Sequence, residues 1–128
     1  MAPNLPHSTI VESARDGRRF FRLACRDDYL CNFFDDWSFT LAKKKKFNTV
    51  KAYANGVKRF INYYLEAEDQ LNGAISNLDL FILLENFESY LAFGADSDIE
   101  LIHRIGEAVP PGDIGAATVE QTIAGLNS

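Results

Sequence analysis

The residues with the clearest chemical potential form the run Lys43-Lys44-Lys45-Lys46-Phe47-Asn48-Thr49-Val50-Lys51. Consecutive ammonium groups beside a carboxamide and a hydroxyl suit phosphate: the cations neutralise its charge and the side-chain donors position it. Asn55 and Lys58 follow Lys51 at helical spacing, so the three share one helix face. A helix opening at Asn48 would add its own free N–H groups to such a surface. Cations at a helix N-terminus oppose the helix dipole, so part of this cluster works against local stability, as functional residues often do. The blander reading is a solvated loop whose lysines close the preceding helix, and composition alone leans that way.

Catalytic constellations do not emerge. His7 and His103 are the only histidines. The first falls in a loose N-terminal lead-in, and the second reads as a surface cap near the end of a short helix. The sequence holds no H-E-x-x-H, G-x-S-x-G, Walker loop or G-x-G-x-x-G. The pairs Asp27-Asp28 and Asp35-Asp36 are adjacent, and neighbouring carboxylates on a helix point to different faces. Tyr53, Tyr63, Tyr64 and Tyr90 read as core aromatics rather than nucleophiles. Cys25 and Cys31 have a spacing that matches no metal or redox motif, and on a helix it would face them to different sides; they read as two reduced thiols packed as small apolar groups. No cofactor, metal or enzymatic activity is expected of this chain.

The elements that must position the lysines follow from periodicity. The runs STIVESA and RRFFRLA flank Asp16-Gly17, a β-hairpin signal. Leu30, Phe33, Phe34, Trp37 and Leu41 form one helical stripe, predicting a helix from about Asp28 that ends at Lys43 to Lys46. A second helix is predicted from an Asn48 N-cap through Leu65, with Val50, Tyr53, Val57, Phe60, Ile61 and Tyr64 as its apolar face. Gly56 interrupts it, and a close neighbour would explain the glycine. Asn72-Gly73 reads as a turn and Ser76 or Asn77 as the next cap. A third helix then runs to about Phe93, ended by Gly94, with Leu80, Leu83, Leu84, Phe87 and Leu91 as its main stripe. Phe81 and Ile82 lie outside that stripe, so this helix is either central or carries a partner-facing patch. Ser97 to Glu100 and Thr118 to Gln121 read as capping boxes opening two further helices. The last, with Val119, Ile123 and Leu126, is still in phase at Ser128 and is expected to be truncated there.

Composition supports one packed domain: 128 residues, 47% hydrophobic. Residues 1–27 are expected to form an N-terminal extension carrying the hairpin, and residues 28–128 the helical domain. The formal charge of −5 would argue against a nucleic-acid partner. It conceals two unlike halves. Residues 1–65 carry twelve bases and six acids, whereas residues 66–128 carry one base and twelve acids. With a Debye length of roughly 8 Å, a ligand senses the local patch more than the distant total. The N-terminus lacks the basic and apolar regions of a signal peptide, and the longest strictly apolar run is Leu80 to Leu84, far below a membrane span. The expectation is a cytoplasmic protein without a membrane partner.

The stretch Phe47 to Phe60 resembles the second helix of the N-terminal core-binding domain of tyrosine recombinases, the phage integrases. Thr49, Tyr53, Val57, Phe60 and the pair Tyr64-Leu65 match that pattern in order. Tyr29-Leu30 through Trp37 resembles the family's first helix and Leu80 through Leu91 its third. Thr118 resembles the threonine that opens the fourth. The resemblance covers roughly residues 28–128 and implies a mainly α, SAM-like bundle of four to five helices. It implies a domain that grips duplex DNA for a separate C-terminal catalytic domain of the same polypeptide, alongside other recombinase protomers. A prokaryotic, nucleoid-associated location is implied when DNA is bound. By matching position, the resemblance puts Asn48, Thr49, Lys51 and Thr118 against DNA; the reading of the residues themselves adds Lys43, Lys44, Lys45, Lys46, Asn55 and Lys58. The acidic second half departs from the basic character of many DNA-gripping domains. The rival expectation is a helical protein-protein interaction module using the apolar excess of the third helix.

Overall fold

The computed structural model describes residues 7–111, which form a mainly α fold preceded by an antiparallel β-hairpin. Strands β1 (Ser8–Arg15) and β2 (Arg18–Cys25) pair from Ser8↔Cys25 to Arg15↔Arg18. Asp16 and Gly17 both take positive φ, 54° and 76°. That is the mirror-image two-residue turn matching the strands' twist, which the Asp-Gly dipeptide encodes. The helices are α1 (Asp28–Ala42), α2 (Phe47–Gln70), α3 (Asn77–Glu85), α4 (Phe87–Phe93) and α5 (Glu100–Ala108), with a short 3₁₀ turn at Gly94–Asp96. The expected last helix, with Thr118, lies outside the described residues.

An isolated hairpin is marginal in water. This one is held by helix side chains that satisfy its backbone. Phe21 N–H donates to the Ser38 hydroxyl at 2.9 Å, Leu23 N–H to the Asp35 carboxylate at 3.0 Å, and Ser8 N–H to the Asn62 side-chain oxygen at 2.8 Å. Phe21 and Leu23 then enter one core with Phe34 and Leu41 of α1 and Val50, Ala54, Ile61 and Leu65 of α2. Residues 8–25, set apart by sequence as an extension, thus share their core with the helices. Ser38 is fully buried. Ser38→Ala would leave the Phe21 N–H buried without an acceptor, an expected cost of about 2 kcal/mol, measurable as a lower urea midpoint with unchanged slope.

Helix α2 is the spine. Tyr63 and Ala67 belong to a second core with Leu83, Phe87, Tyr90, Leu91, Ile102 and Ile105. Tyr63 and Tyr90 pack with ring centroids 4.6 Å apart, and the Tyr63 hydroxyl donates to the Leu83 carbonyl at 2.7 Å. Burial pushes both phenols well above their ordinary range.

Four boundaries differ from the sequence reading. α2 begins at Phe47 with Lys46 as N-cap, so Asn48 sits inside the first turn and caps nothing. The same helix runs five residues past Leu65, because Glu66 bonds His7 and Gln70, and Arg26 grips Glu68 and Asp69. The predicted third helix is broken at Asn86, whose side chain and backbone N–H both bond the Ile82 carbonyl. Such local bonding competes with helix continuation. The break turns Phe87, Tyr90 and Leu91 inward while Leu80 and Leu84 stay at the surface. Ser97 makes no capping box: α5 starts from Ile99, whose N–H bonds the Ser97 hydroxyl. The Ser76–Asp79 capping box does form and opens α3.

Candidate functional site

The connection between α1 and α2 exposes Lys43, Lys44, Lys45 and Lys46. Lys43 is the C-cap of α1, where a cation complements the dipole. Lys46 is the N-cap of α2 and offers no side-chain acceptor to its first turn. The start of α2 therefore keeps donor N–H groups uncapped amid four ammonium groups, a favourable setting for an oxyanion.

The hairpin brings further cations to the same place. The Arg15 guanidinium lies 4.9 Å from the Phe39 ring centroid and Lys43 Nζ lies 4.7 Å from it, so strand and loop share one aromatic platform. Arg19 stacks on Phe47 at 3.6 Å, and Phe47 stacks in turn on Phe21. The Phe39 contacts hold Arg15 and Lys43 over a ring rather than against a carboxylate. Arg19 is also bidentate to Glu12, at 2.9 and 3.0 Å. That hydrogen bonding lowers the Glu12 carboxyl below its ordinary range, and the charge of Lys51 adds to the effect. Among the described residues, no carboxylate lies within ion-pair distance of Lys43 to Lys46, Lys51, Lys58, Arg15 or Arg18.

The expected site residues divide accordingly. Lys43, Lys44, Lys45, Lys46, Asn48 and Lys51 are exposed around the α1–α2 connection. Thr49 and Lys58 are half-buried. Asn55 turns back to donate to the Lys51 carbonyl of its own helix at 3.0 Å. Farther along the same face Asn62 is buried under Ser8, so the polar stripe of α2 is open only at its N-terminal end. Thr118 lies outside the described residues. Arg15, Arg18 and Arg19 were not among the expected contacts. Their signal was the Asp-Gly turn, which sets Arg15 opposite Arg18, but nothing in one sequence says where a hairpin tip docks.

Two other clusters deserve placing. His7 is not loose: its Nε2 lies 2.8 Å from Glu66 and 3.7 Å from Asp69. Ligand atoms of these three lie within 4.8 Å of one another, a separation a cation could span. Arg26 already sits 2.9 Å from the second oxygen of Asp69, and Gln70 donates to Glu66 at 2.8 Å. These bonds tie His7 and Arg26 to the C-terminal part of α2. The second cluster is apolar. Leu30, Phe33 and Trp37 of α1, Phe60 and Tyr64 of α2, and Leu80 and Leu84 of α3 line a groove of about 320 Å³. Phe33 is 65% and Leu84 57% exposed on its rim. His103, bonded to the Ala95 carbonyl and to Glu107, serves α5 locally.

Comparison of the chain with protein-family models, with curated proteins and with solved structures finds no match.

Proposed function

We propose that this chain binds duplex DNA through the surface formed by the hairpin tip, the α1–α2 lysines and the open start of α2. The observation that carries this reading is the shared Phe39 platform, which joins cations from β1 and from the lysine loop into one patch. Lys43 to Lys46, Lys51, Arg15 and Arg18 then present seven cations without carboxylate partners among the described residues. Spaced cations on protein match the spaced phosphates of a duplex, and bound lysines release the condensed counterions. On the resemblance of Thr49, Tyr53, Val57 and Phe60, the role is that of a recombinase core-binding domain. It would grip DNA for a catalytic domain in the same polypeptide and for neighbouring protomers. No helix among the described residues is long and apolar enough to cross a membrane.

The test is a salt titration of binding to a labelled duplex. With six engaged cations, log affinity should fall with log salt at a slope of roughly −5. A flat profile, or no binding at low salt, would overturn the reading. The groove between α1 and α3 favours a second reading, a module that docks an apolar segment of another protein. Under that reading binding to a partner survives high salt and is lost with Phe33→Glu or Leu84→Glu, whereas the DNA reading is indifferent to both.

A further inference from the structure

We propose that Cys25 and Cys31 are a site of oxidative modification, closing to an intramolecular disulfide by exchange with a small disulfide such as oxidised glutathione. The sequence reading took both thiols as reduced, packed groups. In the structure Cys25 ends β2 and Cys31 lies in the first turn of α1, with their sulfurs 3.3 Å apart. A disulfide requires about 2.05 Å, so the sulfurs need approach by only about 1.3 Å, within reach of side-chain rotation.

The intervening turn holds the pair in place. Asp27 caps α1 by accepting from Leu30 N–H at 3.1 Å, and its carbonyl accepts from Cys31 N–H at 3.1 Å and from the Cys25 thiol at 3.4 Å. The next residue back, Arg26, donates to the Leu65 carbonyl at 3.0 Å and pairs with Glu68 and Asp69. Arg26 thus ties this turn to α2 while Asp27 ties it to α1, and the sulfurs meet without a backbone search. Both cysteines are half-buried, open to a small reagent yet unlike a surface thiol.

The chemistry balances in two exchanges. The Cys31 thiolate attacks one sulfur of the oxidised reagent and expels one thiolate, which takes up a proton. The Cys25 sulfur then attacks the mixed disulfide on Cys31, loses its proton to solvent and expels the second thiol. Two protein thiols are oxidised and one reagent disulfide is reduced to two thiols. Burial pushes the Cys25 thiol up to about 11, with its contact to Cys31 adding to the shift. The two sulfurs can exchange roles in these steps without changing the products. The bond closes a short ring joining β2 to α1, and its constraint on the unfolded chain stabilises the fold.

The experiment treats the purified chain with excess oxidised glutathione. Expected are loss of both titratable thiols, a mass decrease of two hydrogens with no glutathione retained, and a cross-linked peptide joining Cys25 to Cys31. The rate should not depend on protein concentration, and the thermal midpoint should rise by about 5–10 °C. Cys25→Ser should instead retain one glutathione on Cys31. Two stable glutathione adducts, two unreacted thiols, cross-linking between chains or a lowered midpoint would each overturn the proposal.

Discussion

Lys44→Glu combined with Lys46→Glu is expected to weaken duplex binding by about a hundredfold at low salt, for every DNA sequence alike. Each lysine that meets a phosphate contributes about 0.9 to the salt slope, so losing two should flatten it by about 2. Reversal does more than deletion, because the new carboxylates repel the phosphates that the cations attracted. Lys44 and Lys46 are exposed and pair with no carboxylate among the described residues, so the fold should persist. Circular dichroism and the thermal midpoint check that side of the expectation. The same effect should follow from Arg15→Glu with Arg18→Glu, although those residues stand on a different element. That equivalence is the sharper test: a loss confined to the lysines would remove the hairpin from the interface. Unchanged binding in both pairs would remove the patch altogether.

Gly106→Ala is expected to destabilise the fold by a few kcal/mol from a single added methyl. A Cβ at Gly106 would lie 2.3 Å from the Gly94 carbonyl carbon and 2.4 Å from the Ala95 nitrogen. Those are backbone atoms of the turn between α4 and α5, and they cannot swing aside as a side chain would. Gly94 is itself held at φ 52°, with Pro111 packed where its own Cβ would stand. Helix α5 must therefore back away and lift Ile102 and Ile105, both fully buried, from the second core. Overpacking of this kind costs about 3 kcal/mol, which lowers the thermal midpoint by roughly 10 °C or more. Gly17→Ala provides the contrast. Gly17 has φ 76° but open space around it, so only backbone strain of about 1 kcal/mol is expected. Similar losses at the two positions would mean that α5 does not pack as closely as described.

Much of the fold was legible from local chemistry. Asp16-Gly17 encoded the hairpin turn, the Leu30 to Leu41 stripe encoded α1, and Ser76 with Asp79 encoded a cap. What failed depended on contacts distant in sequence. The polar end of α2 looked like a connection because the partners of Glu66, Glu68 and Asp69 are His7 and Arg26, some forty to sixty residues away. Leu80 and Leu84 looked like core because periodicity shows which residues share a face, not whether that face is covered. Asn86 breaks the helix through a single side-chain bond that periodicity does not register. For the site, the lysine run was visible as composition. Its union with Arg15 and Arg19 was not, since nothing in one sequence says that Phe39 and Phe47 would lie under hairpin arginines.

The way α1 and α2 satisfy the hairpin's backbone also constrains the order of folding. The strands are complete by Cys25, yet the acceptors for Phe21 and Leu23 are Ser38 and Asp35 respectively, and that for Ser8 is Asn62. As the chain emerges from the ribosome, the strands precede the side chains that satisfy them, and because an isolated hairpin is marginal in water, Phe20, Phe21 and Leu23 stay exposed until α1 and α2 follow. Contact between Ser8 and Asn62 spans 54 residues, so its loop-closure entropy is met late, after most of α2 has emerged. At the fast end of synthesis, about 20 residues per second, that interval lasts a few seconds. During that time the arginines at positions 15, 18, 19 and 22 keep neighbouring nascent hairpins apart, as charged edges do. The cations proposed to meet DNA in the finished protein thus first act as solubilising groups for its slowest-protected segment.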